Sequence, residues 1–178
     1  MSTTEPVDWL ERLTAVLPPP PQPIPPRTEP WADIEARLGF RLPDDYKRIA
    51  DRYGNGSSRS YLLTPAGPQA LNLWTSSATA LDIWRTYNAD DPHPEPPGPI
   101  FDGVSGLFPL AGQEGSWWWF DVRDGIAHDD TIYVDNRWEW DFTLRGPLAR
   151  ALYAICAGEE PLPCYIEANP PFQFVPLE

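Results

Sequence analysis

A chain of 178 residues, 42% of them hydrophobic, is long enough to bury one sizeable core, and nine Trp, seven Tyr and seven Phe give that core an aromatic bias. A net charge of −13 argues against nucleic acid and anionic lipid as partners. No apolar run approaches the roughly 18 residues that span a bilayer, and Met1-Ser-Thr-Thr-Glu-Pro6 has neither the basic nor the apolar stretch of a secretory leader, so a cytoplasmic location is expected.

The charge is unevenly distributed. Residues 1–60 carry nine acids and eight bases, whereas residues 88–141 carry twelve acids against Arg123 and Arg137. Such a region attracts a basic protein surface, although solubility alone also accounts for it. Cys156 and Cys164 fit a reduced compartment and read as two buried thiols, with a disulfide across eight residues as the alternative.

In chain order, Val7 to Leu17 shows helical spacing, with apolar residues at 7, 9, 10, 13, 16 and 17. Eight prolines between Pro18 and Pro30 make the next segment a stiff polyproline-like spacer, or else a ligand for an SH3-like partner. A short helix follows from Pro30 to Gly39, with Thr28 as its expected N-cap and Trp31, Ile34 and Leu38 on one face. Leu42 precedes a proline and is therefore extended. A second helix runs from Pro43 to Tyr53, buries Tyr46, Ile49, Ala50 and Tyr53, and ends at Gly54. Asn55-Gly-Ser-Ser58 reads as a turn and Tyr61–Leu63 as a strand. Leu71 to Tyr87 is helical, with Leu73, Trp74, Ala78, Leu81, Trp84 and Tyr87 inward, and an acidic proline-rich loop covers Asp90 to Pro99.

A run of strands closes the pattern: Leu107–Leu110, Ser116–Val122, Thr131–Asp135 and Trp138–Phe142, joined by short turns that imply antiparallel hairpins. A last helix spans Leu144 to Ala157, and the tail beyond it, rich in Pro but carrying Phe172, Phe174 and Val175, reads as an arm that packs back. Helices, then strands, then a helix make an α+β domain with a mainly antiparallel sheet of about four to six strands. The expected organisation is a helix at 1–17, a linker at 18–30, a domain at 31–158 and an arm at 159–178.

The segment Trp31-x-x-Ile34-Glu35-x-x-Leu38-Gly39-x-x-Leu42-Pro43-x-Asp45-Tyr46…Tyr53-Gly54 resembles the N-terminal signature of the SMI1/KNR4 (SUKH) family. Gly106-Leu-Phe-Pro-Leu-Ala-Gly112, the strand ending Phe120-Asp121, Trp138-Glu-Trp140 and the closing helix follow in that family's order, so the likeness covers about 29 to 158. Phe120, where such proteins often have Trp, and the long loop at 88–99 are departures. The resemblance implies a non-catalytic protein-binding domain. Bacterial relatives are commonly immunity proteins that bind a cognate toxin, and fungal relatives are scaffold-like regulators.

Catalytic chemistry has little foothold in the sequence. His93 lies in a proline-flanked loop, and His128 before Asp129-Asp130 reads as a solvated turn rather than a metal site, which needs three or four convergent ligands. Neither a phosphate-binding glycine loop nor a paired-cysteine motif is present. A carboxylate-dependent hydrolase would need buried, opposed carboxyl groups, and the Asp pairs fall in expected turns. No catalytic, cofactor or metal residue is therefore assigned. The aromatic run Trp117–Phe120 either packs in the core or offers exposed rings. The expected contacts with a basic toxin are Trp117, Trp119, Asp121, Asp129, Asp130, Glu139 and Asp141, with a monomer as the default state.

Overall fold

The computed structural model describes residues 7–58, 60–68, 71–90, 94–113, 116–136, 139–161 and 173–177, without the side chains of 87–90, 113, 136 and 141. Among these residues are five helices and seven strands: α1 (Trp9–Val16), α2 (Trp31–Leu38), α3 (Asp44–Tyr53), β1 (Gly56–Ser57), β2 (Ser60–Leu62), α4 (Leu73–Asp90), β3 (Gly106–Gln113), β4 (Ser116–Arg123), β5 (Ile126–Asn136), β6 (Glu139–Arg145), α5 (Leu148–Cys156) and β7 (Val175–Pro176). The class is α+β, with every named strand pairing antiparallel in the order β6-β5-β4-β3-β2-β1-β7.

The sheet holds one strand more than the upper expectation. β1 is only two residues long, inside what reads as a turn, and β7 comes from the tail. Neither is long enough to show a period-2 pattern. β5 starts five residues before its expected first residue, because register shifts opposite Phe120 and beside Val134 break its alternation.

Successive residues of β4 point to opposite faces, and both faces are covered in its middle. Trp118 faces α1, α3 and α5, sharing a hollow with Leu13, Leu17, Ile49 and Leu152. Trp119 faces α4, where Trp84 stands edge-on to it at 6.4 Å. Both rings are fully buried.

Prolines open three of the helices. Pro30, Pro43 and Pro147 occupy the N-cap positions of α2, α3 and α5, so Thr28 is not the cap of α2. A fixed φ and a missing N–H suit the place where the amide has no intrahelical partner. Gly39 ends α2 in the left-handed region at φ 80°, as the Leu-Gly sequence implies. The extended link after it is held at two adjacent residues. Leu42 N–H donates to Glu35 at 2.9 Å, and Arg41 pairs with β5 through its N–H to Gly125 O and its carbonyl to Ala127 N.

The first helix and the proline segment do not stand apart from the domain. Leu10, Leu13 and Leu17 are buried in the common core, and Trp9 packs on Tyr153 of α5 at 5.6 Å. Tyr53 donates its hydroxyl to Leu17 O at 2.6 Å. Asn55 binds Ile24 O through its backbone N–H and Pro25 O through its side chain. The spacer is thus a strap, whose prolines keep it extended while its carbonyls are taken by Asn55.

Candidate interaction face

On the α4 side of the sheet, β5 and β6 extend past the helix, and the exposed part of that face begins there. Tyr133 and Thr131 of β5 are half-buried, their partners Thr143 and Arg145 of β6 are exposed, and Trp117 and Asp121 of β4 are half-buried. The face rests on a buried polar core that the sequence reading does not single out. Asp135 of β5 is 3% exposed and accepts three N–H donors: Trp84 Nε1 at 2.7 Å, Trp119 Nε1 at 3.1 Å and the backbone of Trp117 at 2.7 Å. Burial pushes the Asp135 carboxyl up to about 6, against the pull of those donors. Trp140 closes the cluster, 4.7 Å from Trp84 and 5.6 Å from Trp119. In the sequence Asp135 reads as the last residue of the strand Thr131–Asp135, bordering a hairpin gap. The signal that marks it as buried is its place on the Trp117/Trp119 face of the paired strand.

Of the expected contact residues, Trp119 needs correction. It is wholly buried, its indole N–H is committed to Asp135, and no partner reaches it. Alternation placed it beside Trp117, but α4 covers the middle of β4 and not its start. Asp129 also has an internal task. Its Oδ2 accepts from Leu148 N at 3.1 Å, while Asp45 of α3 accepts from Ala149 N at 2.8 Å. Two carboxylates from other elements thus satisfy the first turn of α5, where the helix dipole favours negative charge. Burial raises the Asp129 carboxyl above its ordinary range, and nearby Asp45 adds to the effect.

Trp117, Asp121, Asp130 and Glu139 keep at least part of their surface; for Asp141 only the backbone, in β6, lies within the described residues, and Trp138 lies outside them. The face is less uniformly acidic than its sequence region. Arg123 stands between Asp121 at 2.9 Å and Asp130 at 3.4 Å, and Arg145 and Arg150 join Asp130 around an open concavity. Cys156 is a free, half-buried thiol whose pKa burial pushes up to about 11, which keeps it unreactive near neutrality. Cys164 lies outside the described residues.

Among the described residues, no group of three His, Cys, Asp or Glu side chains is placed to hold a metal ion, and no helix is long and apolar enough to cross a membrane. The arrangement offers half-exposed aromatic rings beside carboxylates on a rigid sheet, which suits recognition of another protein.

No curated protein and no solved structure matches the chain. The model of the SMI1 / KNR4 family (SUKH-1) matches residues 25–153. That span takes in the last prolines of the strap, the Leu42-Pro43 link bound to Glu35 and β5, the sheet from β1 to β6 and most of α5. With well over half of its length matched, this chain belongs to the SMI1/KNR4 (SUKH-1) family.

Proposed function

We propose that this chain is an immunity protein that binds and neutralises a cognate protein toxin in the cytoplasm, without catalysis. The observation that carries the reading is the half-covered sheet face. Trp117 at the start of β4 and Tyr133 of β5 keep aromatic surface on the α4 side of the sheet, and Asp121 and Asp130 flank Arg123 farther along it, over a base made rigid by Asp135 and its three donors. Membership of the family is compatible with this role. Trp and Tyr are the residues from which interface energy most often comes. The net charge of −13 speeds encounter with a basic toxin surface, even though Arg123 shares two of the local carboxylates.

The test is co-expression with the product of the gene beside its own, scored for growth, together with association kinetics of the purified pair. Wild-type chain is expected to restore growth, and Trp117→Ala to weaken binding about tenfold or more. Association is expected to slow as salt rises. A toxic neighbouring product that neither binds the chain nor is relieved by it overturns the reading. Capture of housekeeping proteins instead would make the chain a regulatory scaffold.

A further inference from the structure

Residues 173–177 lie outside the span that matches the family, yet they complete the sheet. β7 runs antiparallel along β1, with Pro176 opposite Gly56, Val175 opposite Ser57, and Leu177 N–H donating to Asn55 O at 3.2 Å. Only one side chain of the segment is anchored. The Phe174 ring packs on Tyr53 at 5.2 Å and dips into the hollow lined by Leu17, Leu62, Trp118 and Leu152. Gly56 makes room for it, since a Cβ there would overlap the Phe174 ring and sit 2.5 Å from the Val175 carbonyl oxygen. Val175, Pro176 and Leu177 point into solvent. The Leu177 bond faces β1, so the nitrogen of the preceding Pro176 faces outward, where a missing N–H blunts the new sheet edge.

We propose that the β1 edge is a docking site for an extended, uncharged peptide of the pattern aromatic–β-branched–Pro–aliphatic, and that residues 174–177 are its intramolecular occupant. Main-chain pairing to Asn55–Ser57 supplies affinity and the ring hollow beside Gly56 supplies selectivity, as in strand addition generally. A two-residue ladder with one anchor is a weak contact. It holds in cis because tethering gives the segment a high effective concentration, and a partner's segment of the same pattern can exchange with it. The contact has no charged pair, so its affinity is insensitive to salt. That separates it from the charge-steered face proposed above, on which it does not depend.

The test uses the full chain and a fluorescent peptide covering residues 171–177 with both ends blocked, followed by anisotropy. Phe174→Ala removes the anchor of the resident segment, and the peptide is expected to bind this variant at least tenfold more tightly than wild type. Gly56→Ala added to that variant is expected to abolish binding, and so is a peptide whose Phe174 is replaced by Ala. Raising salt from about 50 to about 500 mM is expected to leave the affinity unchanged. In the wild-type chain, excess peptide is expected to speed hydrogen exchange at 175 and 177 while 55–57 stay protected. Equal binding to wild type and Phe174→Ala, binding that survives Gly56→Ala, or unaltered exchange at 175 and 177 under excess peptide would each overturn the proposal, the last without reliance on any variant folding.

Discussion

Trp84 of α4 donates its indole N–H to the Asp135 carboxylate of β5 at 2.7 Å, across 51 positions of sequence. The bond ties α4 to β5, the second strand from one edge of the sheet. It also links the stability of the interaction face to the ionisation of one carboxyl group.

That link has a definite sign. The folded-state pKa of Asp135 is raised from 3.8 to about 6. Its contribution is therefore fully present below the unfolded value and is lost as pH rises through the folded value, a loss of up to about 3 kcal/mol between pH 4 and neutrality. Asp135→Asn, which cannot ionise, is expected to remove this component. Urea unfolding of both chains at pH 4 and pH 7 checks it: the stability difference between wild type and variant should change with pH, and an unchanged difference would refute the linkage.

Trp84→Phe keeps an aromatic ring against Trp119 and deletes one donor to Asp135. The expected cost is about 1–3 kcal/mol, from the buried carboxylate left with one bond fewer. The cost should be smaller in a chain that already carries Asp135→Asn, and a double-mutant cycle by denaturant unfolding measures the coupling.

Trp117 and Trp119 should separate stability from recognition. Trp119→Ala empties a fully buried site and is expected to cost about 3–5 kcal/mol. Trp117→Ala removes a half-buried ring and should cost much less, its effect falling instead on the proposed recognition of a partner. Thermal unfolding of the two variants tests the contrast, and comparable losses of stability would place both rings in the core.

Leu13→Ala probes the place of the first helix. Leu13 is fully exposed in a chain whose α1 floats on a linker, and fully buried here. The expected destabilisation is about 2–5 kcal/mol in a single cooperative transition. A variant with wild-type unfolding behaviour would return α1 to the status of an appendage.

Asp129→Ala removes the acceptor for Leu148 N at the start of α5 and is expected to cost about 1 kcal/mol. Asp45→Ala, which frees Ala149 N, should cost a similar amount. Chemical unfolding at neutral pH reads both, and no loss in either would leave α5 stabilised by packing alone.

The helices were legible because each buries one stripe, and a stripe repeats every 3.6 residues: Ile34 on α2, and Tyr46, Ile49, Ala50 and Tyr53 on α3, are buried as their spacing implies. Ala78 is an exception among the described side chains of α4, which do not include Tyr87. It is exposed, while Ser77 turns inward to donate to Pro109 O at 3.0 Å. A hydroxyl with a buried acceptor waiting for it cannot be told from a solvated one by pattern. The same limit hid Asp135, whose burial depends on two indoles brought from elsewhere in the sequence.

Local periodicity, proline positions and the Leu-Gly…Leu-Pro spacing determined the α+β class, the helix termini within a few residues and the family. These are properties of neighbours in the chain, and short-range geometry is enough to set them. Tertiary structure alone decided that α1 and the prolines strap the core, that Trp119 lies under α4 while Trp117 does not, and that residues 174–177 find β1. Alternation divides a strand into two faces, but only the elements packed against it decide which parts of each face meet water.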